Sequence, residues 1–189
     1  MLSNAASTGI KNSMLLEGSC HCGAIRFRVE SSEPSPFMNC YCSICRKTAG
    51  GGGFAINLGA DAETMEIEGE KNISVYHARM DRGGGGTDLP PIEDAPRSPA
   101  GRRFCSVCGS ALWLFDPRWP DLIHPHASAI DTPLPEPPER NHIMLDSAAS
   151  WCEVPESDER ERHFPEFPDE SLAGWHKRHG LKSRESGAE

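Results

Sequence analysis

Apolar and polar positions alternate along this chain over short stretches, and the alternation keeps breaking at glycine, proline and small polar residues. In residues 24–29, Ile25, Phe27 and Val29 alternate with Arg26 and Arg28, the period of a half-buried strand. Residues 37–40, 54–58, 65–68, 73–76, 102–105, 111–115, 121–124, 142–145 and 150–154 carry further short apolar or alternating runs. Many short strands separated by frequent turn signals predict a mostly-β domain. One helix is predicted at about 169–179: Asp169 and Glu170 begin it, Lys177 and Arg178 end it, and Gly180 stands where a C′ glycine belongs. Leu172, Trp175, His176 and His179 share one face of that helix, and Trp175 is expected to dock it.

The patterning also sets the boundaries. Residues 1–14 are small and polar and read as a disordered tail, with Met14 a candidate alternative start. Residues 15–156 form the patterned domain. Within it, 79–101 reads as a long disordered loop because it holds four consecutive glycines, Pro90, Pro91, Pro96 and Pro99. Residues 157–189 form a C-terminal extension that carries the helix and a flexible end. The length of 189 residues suits one domain with appendages.

Charge removes some partners. With 28 acidic against 19 basic residues the net charge is −9, which repels phosphate backbones and makes nucleic acid a poor partner. No apolar run approaches the roughly 18 residues of a membrane-spanning helix, and no leader-like apolar stretch is read in residues 1–17. A cytoplasmic protein is therefore expected. Eight cysteines in 189 residues are too few for a disulfide scaffold. In a reducing compartment such clusters read as metal ligands or catalytic thiols.

Seven of the eight cysteines fall in three groups: Cys20-His21-Cys22, Cys40-Tyr41-Cys42-Ser43-Ile44-Cys45, and Cys105-Ser106-Val107-Cys108-Gly109. Zinc takes four ligands in structural sites, and three plus an open position in catalytic ones. Cys20, Cys22, Cys105 and Cys108 make one natural closed set, which leaves Cys40, Cys42 and Cys45 with a vacant corner. Spacing also allows Cys105 and Cys108 to pair with Cys42 and Cys45, leaving Cys20 and Cys22 free. A redox dithiol is disfavoured, because neither C-x-x-C lies between a strand and a long helix.

Residues 18–24 (GSCHCGA), 40–47 (CYCSICRK) and 104–110 (FCSVCGS) resemble the glutathione-dependent formaldehyde-activating enzyme family, which also contains centromere protein V. The resemblance runs from about Gly18 to Val154, with all seven cysteines in register. His142-Ile143 and Trp151 are similar to the family's closing strands, and residues 164–181 resemble an extension of bacterial members. It implies a β-tent fold of packed antiparallel sheets. It also implies two zinc ions per chain, a structural one on Cys20, Cys22, Cys105 and Cys108 and a labile catalytic one on Cys40, Cys42 and Cys45. The implied activity is that of a carbon–sulfur lyase acting on S-(hydroxymethyl)glutathione or a related small thiol–aldehyde adduct. A non-catalytic zinc-stabilised binding module is the alternative, for which the closed site alone would suffice.

A glutathione partner carries two carboxylates and wants cations. Arg46 and Lys47 follow the cysteine trio and are the candidate substrate-binding residues, with Arg102 and Arg103 ahead of the last pair. The plainer reading of all four is a set of solvated surface charges. His21 and His77 are read as hydrogen-bonded or exposed rather than as ligands or proton shuttles, whereas His124, His126 and His142 are expected to approach the site from late in the chain, with packing an equal reading for His142. Cys152 is expected to be a buried thiol in a strand, and Trp113 and Phe115 to fill core.

Overall fold

The computed structural model describes residues 13–81 and 91–181. The expected tail up to residue 12, the four-glycine run and the end beyond residue 181 lie outside the described residues. Among the described residues the chain forms β1 (Met14–Ser19), β2 (Arg26–Ser31), β3 (Phe37–Cys40), α1 (Ser43–Ala49), β4 (Ala55–Asn57), β5 (Ala60–Asp61) and β6 (Glu66–Glu68). It continues with β7 (Ile73–Arg79), β8 (Arg97–Cys105), β9 (Ala111–Phe115), β10 (Leu122–Pro125), β11 (Arg140–Ile143), β12 (Glu161–His163) and α2 (Leu172–Arg178).

The mostly-β reading holds, and the strands assemble into three sheets ordered β1-β2-β6, β5-β10-β9-β8-β7 and β12-β11-β3-β4. The first two are antiparallel. The third is mixed, because β11 runs parallel to both β3 and β12 while β3 and β4 are antiparallel.

Several elements differ from the pattern-based expectation. Met14 opens β1 and pairs with Ser31, so it belongs to the fold rather than to a tail. The strand expected at 150–154 is absent, and Trp151 is 63% exposed. Strand β8 begins at Arg97, inside the segment read as a long loop. Pro99 has no N–H for a ladder, and it sits where the β7–β8 register shifts, between the Arg79–Arg97 and His77–Gly101 pairs. Proline at an irregularity of this kind is compatible with a strand, which is why composition alone misread it.

The main core collects Leu16, Phe27, Val29, Leu112, Trp113 and Ile123 from the first two sheets, with Ile25 and Leu58 from the segments beside them. Phe27 meets Trp113 edge-on, with ring centroids 5.1 Å apart. Each such side chain contributes about 1.5–3 kcal/mol by leaving water. Cys20 and Cys105 belong to the same cluster, so one pair of sulfurs is built into the core wall.

The C-terminal extension is anchored. Strand β12 adds to the mixed sheet. Helix α2 starts after Ser171, whose hydroxyl accepts from the Gly174 N–H at 3.1 Å, a few residues later than the acid pair suggested. The Trp175 indole N–H donates to Glu139 at 2.7 Å, and His176 donates to the Ser35 carbonyl at 2.8 Å. Trp175 is only 2% exposed. Among the described residues no helix is long and apolar enough to cross a membrane.

Candidate metal centres

Two hairpin tips build the first centre. The β1–β2 turn carries Cys20 and Cys22, while Cys105 ends β8 and Cys108 sits in the turn that leads to β9. Each turn closes on itself: Gly23 N–H donates to the Cys20 carbonyl at 2.9 Å, and Gly109 N–H to that of Cys105 at 2.8 Å. Both glycines have φ near +75°, at 74° and 78°, a region costly for residues with a Cβ. A hydrogen bond from His21 N–H to the Ser110 hydroxyl, 3.1 Å, joins the tips.

The four sulfurs all lie within 4.8 Å of one another. Cys20 and Cys22 Sγ are 3.5 Å apart, and Cys22 and Cys105 Sγ 3.8 Å. A tetrahedron with zinc–sulfur bonds of about 2.3 Å has edges of about 3.8 Å, whereas a disulfide brings its sulfurs to about 2.05 Å. The spacing fits thiolates around one zinc-sized ion, and all eight cysteines are free of disulfides. Backbone N–H groups support the sulfurs, as Ile25 donates to Cys20 Sγ at 3.2 Å. The Ser110 hydroxyl beside Cys108 helps hold that thiol down to about 5. Of the two pairings that spacing allowed, the fold brings Cys105 and Cys108 to Cys20 and Cys22.

The second centre forms where a strand hands over to a helix. Cys40 ends β3, Cys42 caps α1, and Cys45 lies in its first turn. Positions three apart face the same side of a helix start, and the Cys45 N–H donates to Cys42 Sγ at 3.3 Å. The three sulfurs lie within 4.8 Å of one another, and among the described residues the group has three members and no histidine or carboxylate. Cys40 and Cys45 are buried, and Cys42 is half-buried. Hydrogen bonds from the Cys40 and Cys45 thiols hold Cys42 down to about 2, while its contact with Cys42 and Cys45 pushes Cys40 up. This thiol set suits zinc.

Arg102 approaches the trio. From β8 its Nη2 reaches 3.9 Å from Cys45 Sγ, and its Nη1 is buried without a partner. Nearby, burial followed by the positive charge of Arg102 pushes His126 down to about 4, so it is neutral at pH 7. Its Nδ1 is likewise buried and unpartnered.

Behind the trio runs a buried chain. Tyr41, between two of the cysteines, bonds His142 Nδ1 at 2.8 Å, and His142 Nε2 meets Glu161 at 2.7 Å. An ionised carboxylate only accepts, so Nε2 carries the proton and Nδ1 accepts from the tyrosine hydroxyl. Arg140 also donates to Glu161 at 2.8 Å. Although desolvation opposes it, the bonds from His142 and Arg140 hold Glu161 below the usual carboxylate range. Burial pushes the Tyr41 phenol up to about 12. Tyr41 and His142 are 0% and 1% exposed. The chain pins the backbone from which Cys40 and Cys42 project.

The other singled-out histidines and Cys152 join neither cysteine group. His21 is exposed, His77 bonds the Ser98 carbonyl at 3.0 Å, and His124 bonds that of Leu58 at 3.1 Å. None of the five histidines joins a cysteine group. Cys152 is half-buried outside any strand, its thiol 3.5 Å from the Gly52 carbonyl, where a buried strand position was expected. Trp113 is core, whereas Phe115 is half-buried under the Arg103 guanidinium at 5.4 Å. Arg46 is half-buried with an unpartnered Nε, and Lys47 is exposed. Sequence reasoning gave Tyr41 and Glu161 no role. An aromatic residue between two ligand cysteines was the available signal for the first. Nothing local marked Glu161, which reaches the site through a parallel strand pairing.

A family model described as glutathione-dependent formaldehyde-activating enzyme matches residues 15–147, a span that holds both cysteine groups. The chain belongs to this family. A Halomonas elongata protein named "Putative glutathione-dependent formaldehyde-activating enzyme" is 58% identical over 169 residues, covering 89% of this chain and 99% of that one. A crystal structure of a Rhodobacter sphaeroides protein is similar at 23% identity and a TM-score of 0.43, over 63% of this chain and 91% of the other. Strand β12 and helix α2 lie beyond the span that defines family membership.

Proposed function

We propose that the chain is a zinc-dependent carbon–sulfur lyase that joins glutathione to formaldehyde, and separates them in reverse. The observation that carries this reading is the three-member thiol group beside Arg102, whose Nη1 is buried and unpartnered. Cys20, Cys22, Cys105 and Cys108 would hold a structural ion, and Cys40, Cys42 and Cys45 a catalytic one. Zinc on three thiolates would supply a weakly Lewis-acidic corner where an incoming thiol sits deprotonated.

The rest falls to the chain. A sulfur lone pair forms the C–S bond to the aldehyde carbon, the carbonyl π pair moves onto oxygen, and that oxygen takes a proton equivalent to the one the thiol lost. Arg102 has the free donor suited to the oxygen that gains charge. The Tyr41–His142–Glu161 chain keeps the trio's backbone in place. Arg46, with its unpartnered Nε, is suited to a substrate carboxylate, and Lys47 adds long-range attraction from the surface. Eight free thiols agree with a reducing compartment such as the cytoplasm.

The test is NMR exchange spectroscopy on a glutathione–formaldehyde mixture, since the uncatalysed reaction is itself appreciable. Zinc-loaded protein should accelerate exchange between free glutathione and its hydroxymethyl adduct. Arg102→Gln should lower the protein-dependent rate about 10²–10³-fold, as loss of an oxyanion donor does. An exchange rate unchanged by wild-type protein would contradict the assignment.

A further inference from the structure

A cavity of about 320 Å³ lies between helix α2 and the mixed sheet. Met38, Asn141, Arg162 and Phe164 line it from the sheet side, and Leu172 and Trp175 from the helix. Its position follows from strand register. Asn141 stands opposite both Met38 on β3 and Arg162 on β12, and all three line the cavity. Met38 and Cys40 are two apart on β3 and so share a face of the sheet. Met38 and Phe164 also pack against the cluster that contains Cys40 and Cys45. The cavity and the thiol trio are therefore neighbours on one sheet face.

Two of the cavity's polar groups are uncommitted. Asn141 is 3% exposed, and its Oδ1 is buried with no partner. A buried acceptor left empty is costly, and a ligand N–H would satisfy it. Arg162 is exposed, with no carboxylate in salt-bridge range among the described residues, unlike Arg178, which is tied to Glu139 and Glu170. Asp169 lines the cavity as well, as do Glu139 and Glu170, the latter already within the field of Arg162. Acceptors for an ammonium group beside a cation for a carboxylate suit the zwitterionic end of an amino acid.

Distance suits a peptide thiol. At about 3.3 Å per residue along a strand and about 4.8 Å between strands, Asn141 lies on the order of 8 Å from Cys40 along the backbone grid. An extended tripeptide spans about 10 Å. A thiol in the middle of such a peptide can reach the trio while one terminus enters the cavity.

We infer that this cavity, walled by the C-terminal extension, is the subsite for the γ-glutamyl amino-acid end of glutathione. The inference rests on the reading of the protein as a glutathione enzyme, and it gives α2 a function: the helix closes a specificity pocket.

The experiment is calorimetric titration of the zinc-loaded full-length chain with glutathione and with cysteinylglycine, which lacks the γ-glutamyl arm. Wild type should bind glutathione about tenfold tighter, a gap of about 1.4 kcal/mol. Arg162→Gln, at an exposed position, should erase most of that gap, and Asn141→Leu should do the same if its melting curve confirms folding. Equal binding of the two thiols by wild type, or an unchanged gap in Arg162→Gln, would overturn the subsite. Failure to bind glutathione at all would overturn it as well. A gap that behaves as expected in a protein that does not accelerate adduct exchange would keep the subsite and remove the proposed reaction, so the two failures are separable.

Discussion

Cys45→Ser is expected to return glutathione–formaldehyde exchange to the uncatalysed rate, while the protein stays folded with one zinc ion per chain. Cys45 is one of three donors in a group that has no fourth member among the described residues. Two remaining thiolates hold zinc poorly, and the alcohol that replaces the third stays protonated. The same change removes the sulfur that Arg102 faces at 3.9 Å. The fold should tolerate the loss, because this cluster is small: Cys40, Cys45, Ala55 and Ile143 are its fully buried members. A serine there buries one hydroxyl, at a cost of about 1–3 kcal/mol. Exchange spectroscopy, zinc analysis and a thermal melt on one preparation check all three parts. Exchange retained at the wild-type rate would remove Cys45 from the reaction.

Cys105→Ser should act in the opposite sense, on the fold before the chemistry. Cys105 is fully buried and Cys20 is 2% exposed, and both belong to the main core with Leu112 and Trp113. Their sulfurs join the β1–β2 hairpin to the β8–β9 hairpin, and so link the first two sheets at one end. A structural zinc contributes about 10–16 kcal/mol in small zinc domains, against a typical net stability of about 5–15 kcal/mol. Losing one ligand should therefore abolish the cooperative thermal transition, visible as a lost near-ultraviolet circular dichroism signal. Cys108→Ser, at the exposed rim of the same group, should be milder, with a lowered but intact transition. A Cys105→Ser protein that melts like wild type would show that the quartet does not hold the sheets together.

The contrast between these cysteines was partly legible in the sequence. Spacing separated the three groups. Whether Cys105 and Cys108 meet Cys20 or Cys42 depends on which hairpins approach each other. That is a tertiary fact, and local pattern left it open. Most strands were visible through alternation, because the first two sheets each bury one face. Strand β1 was hidden because Leu15 and Leu16 interrupt its alternation, with Leu15 left 48% exposed. Strand β12 was hidden because its three residues, Glu161, Arg162 and His163, are polar, and hydrogen bonding to β11 defines it. Helix α1 has seven residues, too few for periodicity to speak, and is held by the cap at Cys42. The role of Arg102 comes from a strand of one sheet meeting the helix that follows a strand of another, and that of Glu161 from strand neighbours far apart in sequence, neither of which single-sequence patterning encodes.

Metal release probes the central claim most directly. Zinc-saturated protein should carry two ions per chain. A competing chelator should remove one quickly, from Cys40, Cys42 and Cys45, and the other only as the protein unfolds. Cys45→Ser should lack the fast phase and keep the slow one. A wild-type protein that binds a single ion, released in one slow step coincident with unfolding, would contradict the division into an open trio and a closed quartet.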